Sequence, residues 1–152
     1  MSAAATRSCA DVNVDMGLVD LLNGLIAQVV AQLREQFGPS AGKIPVGAFC
    51  NILDEMQRSD EFAFDLRDLD FRRIGGNSVS NALGDFLFLG GAWGAHTVPN
   101  PALSTISLDE ERAQKRLRKL KERYGEGGVE KLARMANRFL IGLQKEGYIP
   151  QD

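Results

Sequence analysis

At 152 residues the chain has the length of one domain and leaves no room for a second core. Its apolar content of 44% and charged content of 25% sit near globular averages, which excludes disorder along most of the chain. The net charge of −2 is not the strongly basic balance usual for a nucleic-acid-binding domain, but it is unevenly spread. Residues 1–106 carry 7 Lys/Arg against 12 Asp/Glu, and residues 107–152 carry 11 against 8. Such asymmetry marks either two faces with different partners or two halves that attract each other.

Cys9 and Cys50 are too few for a disulfide framework, and neither belongs to a C-x-x-C pair. Both read as free thiols in a reducing compartment, and the expected location is cytoplasmic. Met1 to Arg7 lacks the charged and apolar regions of a secretory signal. The longest apolar stretch, Leu18 to Leu33, is broken by Asp20, Asn23, Gln28 and Gln32, so no membrane partner is expected.

Residues 1–14 read as a flexible lead. Asp15 is placed to cap a long helix ending at Phe37, with Leu18, Leu21, Leu22, Leu25, Ile26, Val29, Leu33 and Phe37 on one broad apolar face. Gly24, Ala27 and Ala31 lie on the other side and leave room for a second helix to approach closely. Gly38-Pro39 stops the helix. After a connector, a short helix is predicted from Val46 to Arg58, with Phe49, Ile52, Leu53 and Met56 inward. Residues 61–73 fit either alternation or a helix; the spacing of Phe62, Leu66 and Leu69 favours a helix, capped by Ser59 or Asp60.

Gly75-Gly76 breaks the chain, and Asn77 or Ser78 opens a predicted helix carrying Val79, Leu83, Phe86 and Leu87 up to Gly90-Gly91. A loop rich in Gly and Pro follows to Thr105, longer than most connections in compact domains. Ser107-Leu108-Asp109-Glu110 matches a capping box and opens a helix to Tyr124, with Ala113, Leu117, Leu120 and Tyr124 as a narrow apolar stripe. Gly125 to Gly128 reads as a turn. A last helix from Val129 to about Lys145 faces Leu132, Ala136, Phe139 and Leu143 inward and is capped by Gly147.

Three segments are candidates for function. Arg112, Lys115, Arg116, Arg118, Lys119, Lys121 and Arg123 make the 107–124 helix basic. A row of cations on a rigid rod neutralises phosphates, and Arg112, Lys115, Arg116, Lys119 and Arg123 are the candidate nucleic-acid contacts; the alternative is a solvated face with internal pairing. Asp54, Glu55, Asp60, Glu61, Asp65, Asp68 and Asp70 form an acidic segment able in principle to hold a divalent metal or perform acid–base chemistry. Its spacing does not match a calcium loop, and an exposed helix face is the simpler account. Trp93 and His96, the only residues of their types, sit in the glycine-rich loop and are the candidate partner-binding residues. Trp93 is alternatively a lid over the core. Gly75-Gly76-Asn77-Ser78 lacks the lysine of a phosphate-binding loop, and a two-glycine turn accounts for it. Cys50, beside Phe49 and Ile52, reads as inert.

The expected fold is all-α: a compact bundle of five or six helices, with a long central N-terminal helix and a Gly/Pro-rich loop before the last two helices. The expected organisation is a lead at 1–14, one helical domain at 15–148 and a short tail at 149–152. The leading functional expectation is a non-enzymatic helical interaction protein, an adaptor, inhibitor or assembly subunit, that binds a protein partner and needs no cofactor. The alternatives are a nucleic-acid-associated protein using the basic helix, and a metal-dependent enzyme using residues 54–70.

Overall fold

The computed structural model describes residues 16–59, 61–92 and 105–149, with backbone alone over 88–92. The first helix, α1 (Leu18–Phe37), buries Leu21, Leu22, Leu25, Ile26, Val29, Val30 and Leu33, as its three- and four-residue apolar spacing requires. Each such side chain contributes roughly 1.5–3 kcal/mol when fully buried. Asp15 lies outside the described residues, and Gly17 occupies the N-cap position with no side-chain cap. A 3-10 turn (Pro39–Ala41) leads into β1 (Lys43–Pro45) and α2 (Val46–Gln57).

The chain then departs from the expected bundle. Residues 61–68 form successive turns instead of a helix, although Phe62, Leu66 and Leu69 are buried as their spacing implied. Ser59 does not cap a helix there; its hydroxyl donates back to the Met56 carbonyl at 2.6 Å. Strands β2 (Phe71–Ile74) and β3 (Asn77–Ser80) pair antiparallel, with Ile74 opposite Asn77. Gly75 (φ 60°) and Gly76 (φ 83°) form the two-residue connection, whose twist needs positive φ at both positions. The helix expected from Asn77 or Ser78 begins later, as α3 (Asn81–Ala92), and the Ser80 hydroxyl accepts the Leu83 N–H at 3.3 Å.

Strand β4 (Thr105–Ser107) pairs with β1, Ile44 facing Ile106. Ser107 is therefore a strand residue, not a cap. Asp109 takes the N-cap position of α4 (Glu110–Lys145), its carboxylate accepting the Arg112 N–H at 2.7 Å. Among the described residues the architecture is four helices and two small antiparallel two-stranded sheets. This mixed α/β arrangement corrects the expectation of an all-α bundle of five or six helices.

Helix α4 does not run straight. Leu120 and Leu132 are separated by about 18 Å along a continuous helix. Yet a Cβ built on Gly24 would lie 2.8 Å from Leu120 Cδ1 and 2.7 Å from Leu132 Cδ1. The chain doubles back at Gly125, whose φ of 72° and ψ of −165° belong to a region essentially reserved for glycine. The first arm runs antiparallel to α1: Leu108 meets Arg34, Leu120 meets Gly24, and Tyr124 meets Asp20. The second runs parallel to it, with Gly128 beside Met16 and Leu132 beside Gly24. The second arm also packs on α2, where a Cβ on Gly142 would lie 2.9 Å from Ile52 and where the Phe49 and Phe139 rings sit 5.8 Å apart. Its end is a Schellman cap, with Gly147 at φ 83° and the Tyr148 N–H donating to the Leu143 carbonyl at 2.9 Å.

Gly125→Ala should lower unfolding free energy by about 1–3 kcal/mol through backbone strain. Gly24→Val should cost about the same through overpacking between the arms. Gly84→Ala, on an open face of α3, should be neutral or stabilising by up to about 1 kcal/mol. Urea denaturation of the three variants checks the ranking.

Candidate interaction surfaces

The acidic segment is spent largely inside the molecule. Lys131, Arg134 and Arg138 recur at one-turn spacing on the second arm of α4, and each meets a carboxylate. Lys131 Nζ lies 2.7 Å from Asp65, Arg134 lies 2.5 Å from Glu61, and Arg138 lies 2.6 Å from Glu55. The Lys131–Asp65 pair is enclosed, with side-chain exposures of 5% and 11%. Asp54 is buried as well, accepting the Ser78 hydroxyl at 2.6 Å. Asn51 accepts the Ser78 N–H at 2.7 Å, and Gln57 donates to the Leu66 and Leu69 carbonyls at 2.7 and 2.6 Å. Asn51, Asp54 and Gln57, spaced along one side of α2, thus hold both the hairpin and the 61–68 turns. Only the three-residue spacing of these polar side chains hinted at that role. Among the described residues no cluster of His, Cys, Asp or Glu is arranged to hold a metal ion. Asp60 lies outside them.

The basic arm is less available than its composition suggests. Arg112 pairs with Asp109 at 3.5 Å, Lys121 with Glu126 at 3.3 Å, and Arg123 with Asp20 at 2.8 Å. Asp20 also accepts the Tyr124 hydroxyl at 2.6 Å, a bond that raises the tyrosine pKa and ties the arm to the start of α1. Arg116 is half-buried; burial first, then the charge of Arg112, holds its pKa below the ordinary arginine value. Of the five nominated phosphate contacts, Lys115 and Lys119 remain exposed with no ion-pair partner among the described residues, as does the neighbouring Arg118. These three lie opposite the Ala113, Leu117 and Leu120 stripe, interleaved with exposed Glu111 and Glu122.

Trp93 and His96, and the Gly/Pro-rich loop beyond Ala92, lie outside the described residues. Two open depressions that the sequence did not indicate are described. One is an apolar recess of about 370 Å³ at the C-terminal end of α1, floored by Leu33 and Leu143 and rimmed by Phe37, Tyr148 and Ile149. Phe37 is 40% and Tyr148 49% exposed. The other is a cleft of about 560 Å³ along the seam between α1 and the first arm, where Gln28, Ala31, Gln114 and Leu117 face one another. No helix among the described residues is long and apolar enough to cross a membrane.

Cys50 is half-buried on α2, and burial pushes its thiol up to about 11 from 9.0. It stays protonated, and so unreactive, until the pH rises through that value. In a Cys9→Ser background, alkylation at pH 8 should be about a hundredfold slower in the native state than in denaturant, because the thiolate is the reacting form. The ion pairs make a sharper test. Lys131→Met strands the enclosed Asp65 carboxylate and should cost about 3–5 kcal/mol, whereas Arg134→Gln at the exposed pair should cost about 0–1 kcal/mol. Chemical denaturation separates the two values.

No family model matches this chain, and neither curated proteins nor solved structures yield a match, so its functional reading rests on its own geometry.

Proposed function

We propose that this chain is a non-enzymatic helical interaction protein, an adaptor, inhibitor or subunit of a larger assembly, that binds a protein partner in the cytoplasm. The observation that carries this reading is the division of its surface. Much of the acidic segment and of the basic arm is engaged in contacts within the chain, while two concave surfaces, a mostly apolar recess and a cleft lined by amide, charged and apolar side chains, are open among the described residues. Concave surfaces with exposed aromatic rims accept partner side chains, since a rigid ring adds contact area at low entropic cost. Trp93 and His96 belong to the same proposal as further partner contacts.

A second reading, phosphate contact through the basic arm, is favoured by the exposed cations Lys115, Arg118 and Lys119. Metal-dependent catalysis on residues 54–70 draws no comparable support.

Affinity capture of the tagged chain from cells that produce it, with and without nuclease, tests the proposal. Under the interaction reading, protein partners survive nuclease and persist when Lys115, Arg118 and Lys119 are each replaced by Ala. Partners that vanish with nuclease and with that triple substitution would overturn it and install the phosphate reading, whose affinity should also fall steeply with salt.

A further inference from the structure

Antiparallel helices are ordinarily joined by loops of about two to five residues. The two arms of α4 are joined by a single one. Between Glu110 and Lys145 only Gly125 departs from helical backbone angles. Rotating that residue from φ 72° and ψ −165° to helical values would convert the hairpin into one straight helix of 36 residues. Glycine adopts both conformations. A Cβ built at Gly125 would meet nothing within 4 Å, so the corner is held by its backbone angles and not by packing on it.

Two effects oppose each other at this corner. The fold-back brings Leu120 and Leu132 together over Gly24 and sets Lys121 3.3 Å from Glu126, a pair that a straight helix would part. Against these stands the strain of a backbone region that few residues occupy. A lone chain that straightened would forfeit the seam, because one arm would leave α1. Two chains that straighten together keep it. The second arm of each then packs on α1 and α2 of the other. Leu132 returns to Gly24, Phe139 to Phe49, Gly142 to Ile52 and Lys131 to Asp65. Only the corner changes, and a short strained connection favours that exchange because opening relieves it.

We propose that Gly125 is a hinge through which two copies of this chain exchange their second arms, forming a swapped dimer from the monomer's own contacts. Gly127 and Gly128 beside the hinge keep the crossing of the two straight helices free of bulky side chains. Exchange must first draw buried Phe139 and Leu143 out of the core, so it proceeds mainly while chains refold together.

Refolding the full chain from urea over a range of concentrations, followed by size exclusion with light scattering, tests the hinge. The expected product is monomer and dimer, with a dimer fraction that rises with refolding concentration and persists on dilution. Gly125→Ala, which disfavours the corner, should raise the dimer association constant at least about tenfold, since each dimer relieves two corners. Inserting Gly-Ser-Gly-Ser after Gly125 should lower the dimer fraction, because a longer loop closes without strain.

Cysteines read the exchange directly. In a Cys9→Ser, Cys50→Ser background, one chain carries Ile52→Cys and another Gly142→Cys, positions near enough for a disulfide. Refolded together, the two should form a dimer with a disulfide between unlike chains. One chain bearing both substitutions, refolded dilute, should close the same bond within itself. If that internal bond forms but the mixed dimer lacks it, the dimer is a surface contact and the proposal is overturned. A dimer fraction unmoved by the insertion would overturn it as well. So would monomer alone at every concentration for both the unmodified chain and Gly125→Ala.

Discussion

Two leucines twelve positions apart meet over one glycine, and the rest of the molecule is arranged around that meeting. Leu120 and Leu132 both contact the space above Gly24, which is possible only because α4 folds back at Gly125. The fold-back gives α1 two neighbours on one seam, one arm antiparallel and one parallel, and buries the small-residue side of α1 that would otherwise be a thinly covered backbone. It also determines what the arms do next. The first arm is left with a narrow apolar contact and a broad exposed face. The second is pressed between α1 and α2, where Gly142 and Phe139 pack on Ile52 and Phe49.

The charge asymmetry of the chain acquires a physical meaning from this placement. Glu55 on α2 and Glu61 and Asp65 in the turns after it lie beside the second arm and meet Arg138, Arg134 and Lys131. The attraction is therefore largely internal, and it involves the cations of the last arm instead of the denser row between Arg112 and Arg123. Enclosed and exposed members of this ladder differ in consequence. The Lys131–Asp65 pair is largely shielded from solvent, so losing one partner leaves a poorly hydrated charge, while the Arg134–Glu61 pair is far more exposed. The denser row serves partly to bind the arm to α1 through Asp20 and leaves Lys115, Arg118 and Lys119 facing outward.

Much of the helical content was legible because its causes are local. The 3.6-residue recurrence of apolar side chains marked α1, α2 and both arms of α4, and Gly38, Gly125 and Gly147 marked breaks with positive φ. The hairpin is not announced by periodicity, although Gly75-Gly76 marks its turn. Its strand Phe71–Ile74 has only Phe71 partly buried, so the alternation that announces a half-buried strand is missing. The capping box at Ser107 failed for a different reason: pairing of Thr105–Ser107 with Lys43–Pro45 claims the serine, and Asp109 caps instead.

What the sequence determined by itself was the set of apolar faces, the positions of the breaks and the segregation of charge, since each depends on residues within a turn or two of one another. Which carboxylate meets which cation, the pairing of β1 with β4, and the burial of Asp54 beneath Ser78 were decided only by tertiary structure. So was the groove that joins Gln28 on α1 to Gln114 on the first arm. These features depend on residues far apart in the chain being brought together, and a groove is the space left between packed elements. Such a space leaves no periodicity in the residues that border it.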